Sequence, residues 1–247
     1  MIRLRRLRVA LAAVALVLSA VLVGGAATRS AAGSTQASRS CDLGVLPAGA
    51  CTTHGFLPGM RVTVPADGWS FGEDAPVEFK LYPPGSSSDA SPGIRFWIDP
   101  RASTTCSDRR LPADMTSPAR VLRWMRGNKN LIVSAAKRTT IAGHVAAVRV
   151  DLDVQPSAPR CDPGCPTACI DYFLFSAPGV QTQPYGTGPG ELVRLWLAEI
   201  GPPSHVLLVG TDIGQPRYKN VFASLNASAA KILASVRLPT KLPPRRP

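Results

Sequence analysis

The longest regular pattern in the chain covers residues 137–154, K-R-T-T-I-A-G-H-V-A-A-V-R-V-D-L-D-V. Within it Val148, Val150, Leu152 and Val154 alternate with Arg149, Asp151 and Asp153. A period of two sends the aliphatic set to one face of a strand and the charged set to the other. Ala142-Gly143-His144 reads as a turn, with 139–141 as the incoming strand, so the stretch predicts a β-hairpin at the middle of an antiparallel sheet. Shorter apolar segments predict further strands at 61–64, 77–82, 94–98, 131–134 and 170–175, and a second hairpin at 191–200 and 205–211. Gly201-Pro202-Pro203 would join that second pair, and 185–190, Y-G-T-G-P-G, reads as a loop. Residues 41–59 read as a Cys-bracketed loop.

Two segments carry helical spacing instead. Ser117 is a good N-cap and Pro118 a good first helical residue. Val121, Leu122, Trp124 and Met125 then supply an apolar face, and Gly127-Asn128 supplies a stop, which predicts a helix over 117–126. Val221, Phe222, Leu225, Ala229, Ile232, Leu233 and Val236 recur at the spacing of one helix face, which predicts a second helix over 218–236. The expected fold is therefore α+β: a single antiparallel sheet of six or seven strands, packed with two main helices and stapled by disulfides.

The N-terminus changes the reading of the compartment. Arg3, Arg5, Arg6 and Arg8 precede an apolar run over 9–23, and small residues follow it. That order is the pattern of a secretory signal peptide over 1–32. An uncleaved anchor is the alternative, because the uncharged run approaches the ~20 residues that span a bilayer. Residues 33–54 would be a linker and the Cys-bracketed loop, 55–238 a single domain, and 239–247 a basic Pro-rich tail. The expected location is secreted or in the extracytoplasmic cell envelope.

Net charge is +12, of which five charges are arginines before residue 33, leaving +7 for the rest. A modestly basic body of this kind suits an anionic surface and carries no nucleic-acid motif. All six cysteines follow the leader: Cys41, Cys51, Cys106, Cys161, Cys165 and Cys169. An even count in an exported chain implies disulfides. Cys41–Cys51 would close a small N-terminal loop, and Cys106–Cys161 with Cys165–Cys169 is the favoured completion. The three thiols of C-D-P-G-C-P-T-A-C do not have C-x-x-C zinc spacing, so neither a metal nor another cofactor is expected.

Catalytic motifs are absent from the sequence. His54, His144 and His205 form no H-E-x-x-H pair, and there is no G-x-S-x-G elbow. Gly186 to Gly190 lacks the Lys-Ser/Thr of a phosphate loop. Asp151 and Asp153 supply too few oxygens for Ca²⁺, which takes six to eight, and Arg149 beside them points to ion pairing. Asn226-Ala227-Ser228 is a sequon inside a predicted helix.

The strands themselves offer a candidate site. If Ile94, Phe96 and Ile98 face the core, then Arg95 and Trp97 face away from it. If Val193, Leu195 and Leu197 face the core, then Arg194 and Trp196 face away. Extended to Lys80, Tyr82 and Arg149, this places cations and aromatic rings on one sheet face. Rings to stack on and guanidinium forks are what a glycan or anionic polymer needs. The expected ligand-binding residues are Lys80, Arg95, Trp97, Arg149, Arg194 and Trp196. The competing expectation is that another element covers this face.

Three stretches resemble the PsbP-like superfamily of exported α+β proteins: V-T-V-P-A-D-G-W at 62–69, I-A-G-H-V-A-A-V-R-V at 141–150 and K-I-L-A-S-V-R-L at 231–238. The resemblance spans roughly 55–238. It implies a curved antiparallel sheet backed by helices and a binding or accessory role. The expected partners are an anionic envelope polymer, a glycan or an envelope protein, with no nucleic acid, and with a membrane only through an uncleaved N-terminal segment. An envelope-polymer hydrolase and a membrane-anchored interaction domain are the alternatives.

Overall fold

The computed structural model describes residues 39–41, 44–86, 92–102, 115–159, 170–177 and 180–244. The chain opens with short strands β1 (Arg39–Ser40), β2 (Gly44–Leu46) and β3 (Gly49–Thr52), then β4 (Arg61–Val64), β5 (Trp69–Ala75), β6 (Glu78–Tyr82), β7 (Gly93–Ile98) and β8 (Arg101–Ala102). Helix α1 (Pro118–Gly127) leads to β9 (Leu131–Val133), β10 (Lys137–Ile141) and β11 (Val145–Val154). Strands β12 (Ile170–Ala177), β13 (Val180–Thr187), β14 (Val193–Ile200) and β15 (His205–Asp212) follow. A 3-10 turn (Pro216–Val221) runs into helix α2 (Phe222–Ser235).

The central sheet has nine strands, in the order β10-β11-β14-β15-β7-β6-β5-β2, with β9 paired to the far end of β11. It is larger than the six or seven strands expected, and it is not single: β1-β3-β4 and β13-β12-β8 form two further sheets. The extra strands are short or weakly patterned. β5 carries Gly72, Glu73 and Asp74, and β2 and β3 lie in the stretch expected as a loop. Residues 185–187 belong to β13 rather than to a loop. The Cys41–Cys51 disulfide ties the residue after β1 to β3. The other expected pairings, Cys106–Cys161 and Cys165–Cys169, lie outside the described residues.

The helices form where the caps and spacing place them. The Ser117 hydroxyl accepts from the Arg120 N–H, and Pro118 opens α1. The Tyr218 end of the second expected helix is a 3-10 turn, and α2 proper starts at Phe222. Two apolar cores result, one on each face of the central sheet. One joins α2 and β4 to Phe79, Phe96, Trp196 and Val209. The other joins Val121 and Met125 of α1 to Trp97, Val150, Leu195, Leu197 and Leu208. All six residues of β7 and all eight of β15 are buried, so these strands are covered on both sides.

Single contacts fix the outer layers. Asp74 accepts from the backbone N–H groups of His54 and Phe56, which seats the 53–60 loop on β5. Gly55 permits this approach, because a Cβ there would lie 2.0 Å from the Asp74 carbonyl oxygen. Past α2, Arg237 pairs with Arg61 of β4, and Leu242 in the expected tail is buried.

Deleting a buried ring should test the two-sided core. Trp196→Ala, at a position 3% exposed, is expected to lower unfolding free energy by about 3–5 kcal/mol in urea titration. Val45→Ser, at a position 75% exposed, should change it by no more than about 0.5 kcal/mol.

Candidate functional site

The six residues expected on one face occupy two. Lys80 lies opposite Arg95 in the β6–β7 pair. Arg95 lies opposite Gly210, and Gly210 opposite Leu195. Arg95 is therefore in line with Leu195, one position away from Arg194. Lys80, Arg95 and Trp97 share the α1 face, while Arg149, Arg194 and Trp196 share the α2 face, since Arg149 lies opposite Trp196. The expectation puts the core on the aliphatic side of β7 and of β14. Both cores are apolar, so that rule chose opposite faces for the two strands.

Nor do these side chains form an open platform. Trp97 and Trp196 are 1% and 3% exposed. Trp97 packs on Tyr185 with ring centroids 4.4 Å apart, and Gly210 leaves room for its ring. Tyr185 in turn donates to Asp212 at 2.9 Å, which pins β13 over the face. The Arg95 guanidinium lies over the Tyr185 ring and 3.4 Å from Glu78. Lys80 sits between Glu73 at 2.9 Å and Glu78 at 3.0 Å. Burial works against the Lys80 ammonium, but the Glu78 charge and the hydrogen bonds to both carboxylates outweigh it, and its pKa rises above the ordinary 10.5.

On the other face Arg194 clamps Asp151 through Nε and Nη2 at 2.5 and 2.9 Å, and its guanidinium lies over the Phe222 ring of α2. Asp151 is thus paired with Arg194 rather than with Arg149. Asp153 accepts from the Gly190 N–H, so the two carboxylates do not converge. Arg149 is half-buried. The sequon residue Asn226 is buried, accepting from Thr211 and donating to the Phe222 carbonyl. No His/Cys/Asp/Glu group that could hold a metal occurs among the described residues.

The histidines go to three places. His54 is exposed. His205 is buried, with Nδ1 2.7 Å from Asp99 and Nε2 2.9 Å from the Pro243 carbonyl oxygen. This resembles the Asp–His half of a catalytic triad, but the nitrogen that would face a nucleophile is taken by the C-terminal segment. It is a latch between β15 and the tail. His144 is exposed in the β10–β11 turn, its Nδ1 2.8 Å from the Ala142 carbonyl oxygen.

His144 also stands at the rim of an open groove of about 630 Å³. The groove lies beside the first turn of α1 and the β10–β11 hairpin. Val121 and Met125 share a core with Val150, Leu195 and Leu197, while Val148 is half-buried and Ala146 exposed. The register sets them side by side: Arg138 opposite Val148, Val148 opposite Leu197, and Thr140 opposite Ala146. Val148, Ala146 and Leu197 make an apolar floor, and Pro118 and Leu122 of α1 make a wall. Arg138, His144, Ser117 and Glu199 stand around them. Arg138 has no ion pair among the described residues, while Glu199 accepts from the Ser204 hydroxyl at 2.7 Å. Apolar walls with a few polar groups at one end, in a volume of 300–1,000 Å³, are the usual form of a small-ligand site. A second cavity of about 290 Å³, between Pro83-Pro84 and the start of α2, has no charged lining residue. Arg138 and His144 could be noted in the sequence, but the groove depends on where the first turn of α1 lies beside the hairpin.

The raised Lys80 pKa fixes the sign of a pH effect. Its contribution to stability is fully present below pH 10.5, the value in the unfolded chain, and is lost as pH rises through the higher folded value. Lys80→Met leaves two carboxylates facing one another and should destabilise by roughly 3 kcal/mol at neutral pH. The gap between parent and variant in urea unfolding should stay constant from neutral pH to pH 10.5 and narrow above it.

Comparison with known proteins adds little to this geometry. No family model matches the chain, and no curated protein does. A solved structure from Bacteroides thetaiotaomicron VPI-5482 aligns with a TM-score of 0.35 at 11% identity. The alignment covers 74% of this chain and 46% of that one, so the chain spans under half of its length. A likeness at that level carries no argument about fold or function.

Proposed function

We propose that the chain is an exported, non-enzymatic binding protein of the cell envelope and that the groove beside α1 is its ligand site. The observation that carries this reading is the groove over Ala146, which is exposed, and Val148, which is half-buried, beside Arg138. Among the described residues most other apolar side chains of the central sheet are buried, Val45 and Ile132 excepted. Here apolar sheet surface stays open next to a cation with no carboxylate partner among the described residues. The matching ligand is an amphiphile with an acyl-like apolar part and an anionic end. The apolar part would lie along the floor, and the anion would sit at Arg138 with His144 and the α1 N-terminus nearby.

Export is supported by the N-terminal arginine, apolar and small-residue order, and by a disulfide, which persists in oxidising compartments. The resemblance to PsbP-like chains implies the same class of role. The hydrolase alternative gains nothing from His205, whose ring is fully engaged by Asp99 and Pro243.

Palmitate is a suitable probe. Titration calorimetry on residues 33–247 should show saturable binding of palmitate and none of dodecylamine, which has a tail but the opposite charge. Ala146→Trp, at an exposed position, should fill the groove and abolish binding without unfolding the protein. Arg138→Glu should weaken it several-fold, the scale of an exposed charge contact of about 1 kcal/mol. Equal binding of both amphiphiles, or unchanged binding in Ala146→Trp, would refute the groove as the site.

A further inference from the structure

The net charge of the chain hides its distribution. Residues 115–150 contain seven cations, namely Arg120, Arg123, Arg126, Lys129, Lys137, Arg138 and Arg149, and no acid. Four of them, Arg120, Arg123, Arg126 and Lys129, belong to α1 or the turn after it, and all four are exposed. Neither Arg123, Arg126 nor Lys129 has an ion pair among the described residues.

At 3.6 residues per turn, Arg120, Arg123 and Arg126 lie along one stripe of α1. That stripe is opposite Val121 and Met125, which are fully buried against the sheet. Leu122 borders the stripe on one side and Trp124 on the other, and both are half-buried. The outer surface of α1 is thus a row of guanidinium groups between a partly exposed Leu and a partly exposed Trp.

We infer that this outer face of α1 is a docking surface for an anionic lipid membrane. Arginine stems lie along apolar surface while their heads meet phosphates. Trp and Leu at the margins match the boundary between headgroups and acyl chains, where indole rings concentrate. A soluble polyanion would satisfy the arginines but would give Leu122 and Trp124 nothing to enter. α1 packs on the sheet through Val121 and Met125, and Arg120, Arg123 and Arg126 on the other side are exposed. Among the described residues no helix is long and apolar enough to cross a membrane, so this contact is peripheral. It rests on α1's outer face alone and holds whether or not the groove takes an amphiphile.

The tryptophans supply the readout. The chain has four: Trp69, Trp97 and Trp196 are buried, and Trp124 is half-buried. Residues 33–247 contain every described contact and omit the apolar run at 9–23, which could itself enter a bilayer. This protein should bind vesicles of equimolar phosphatidylcholine and phosphatidylglycerol, and not vesicles of phosphatidylcholine alone. Phosphatidylglycerol brominated on its acyl chains should quench tryptophan emission, and Trp124→Phe should remove that quenching. Raising salt from ~0.1 M to ~1 M, where the screening length falls from about 10 Å to about 3 Å, should release the protein. Arg123→Gln with Arg126→Gln should weaken vesicle binding roughly 30-fold, from ~1 kcal/mol per cation near an anionic leaflet. Arg123→Lys with Arg126→Lys should retain binding, and both variants should melt with the parent. Equal binding to both vesicle types, or an unaffected double Gln variant, would overturn the proposal. So would binding of soluble polyphosphate with no quenching by brominated chains, which would assign the face to a polyanion.

Discussion

The strip formed by β7, β15 and β14 is buried on both faces, and the rest of the molecule is arranged to keep it so. A sheet with one wet face needs one apolar set per strand. A sheet covered on both sides needs two, and Phe96-Trp97 and Leu195-Trp196 supply neighbours of both kinds. α2 and β4 close one side, and α1 with Tyr185 of β13 closes the other. Charged residues on strands beneath these layers must then be neutralised locally, because an unpaired buried charge is strongly unfavourable. Lys80 with Glu73 and Glu78, Arg95 with Glu78, and Arg194 with Asp151 meet that requirement. Three of the four cations expected to recognise a ligand are held in these pairs.

The same constraint explains where a site is left. Burial is complete in β7 and β15 at the middle of the central sheet and falls toward the β10–β11 turn, beside the start of α1. The residues there are small or half-exposed, Ala146 and Val148, and the cation beside them is unpaired among the described residues. The groove and the basic helix face lie on the same side of the sheet. The latch of His205 on Asp99 and Pro243 belongs to the structural frame, since it fastens the chain after α2 to β15.

Much of this was legible locally. Ser117-Pro118 announced α1, the 137–154 alternation announced the β10–β11 hairpin, and Cys41–Cys51 followed from proximity in the chain. Strands that were missed have mixed composition: β5 holds Gly72, Glu73 and Asp74, and β13 holds Gln, Pro and Gly. Their pairing is decided by neighbours rather than by their own pattern. The face assignment failed for a related reason. Alternation tells which residues of one strand share a side, but register between strands decides whether Arg95 meets Arg194 or Leu195, and register is set by pairing. The acid-free run over 115–150 was open to view in the sequence, while its meaning required knowing that α1 shows three of those arginines outward.

Hydrogen exchange on residues 33–247 with and without palmitate tests the account most directly. β7, β14 and β15 should exchange only on global unfolding and be indifferent to palmitate. Added protection should be confined to the start of α1 and to β10–β11, around residues 117–122 and 138–148. Protection that appears instead around Lys80, Arg95 and Tyr185, or fast exchange in β15 without ligand, would contradict a doubly covered sheet whose open window lies beside α1.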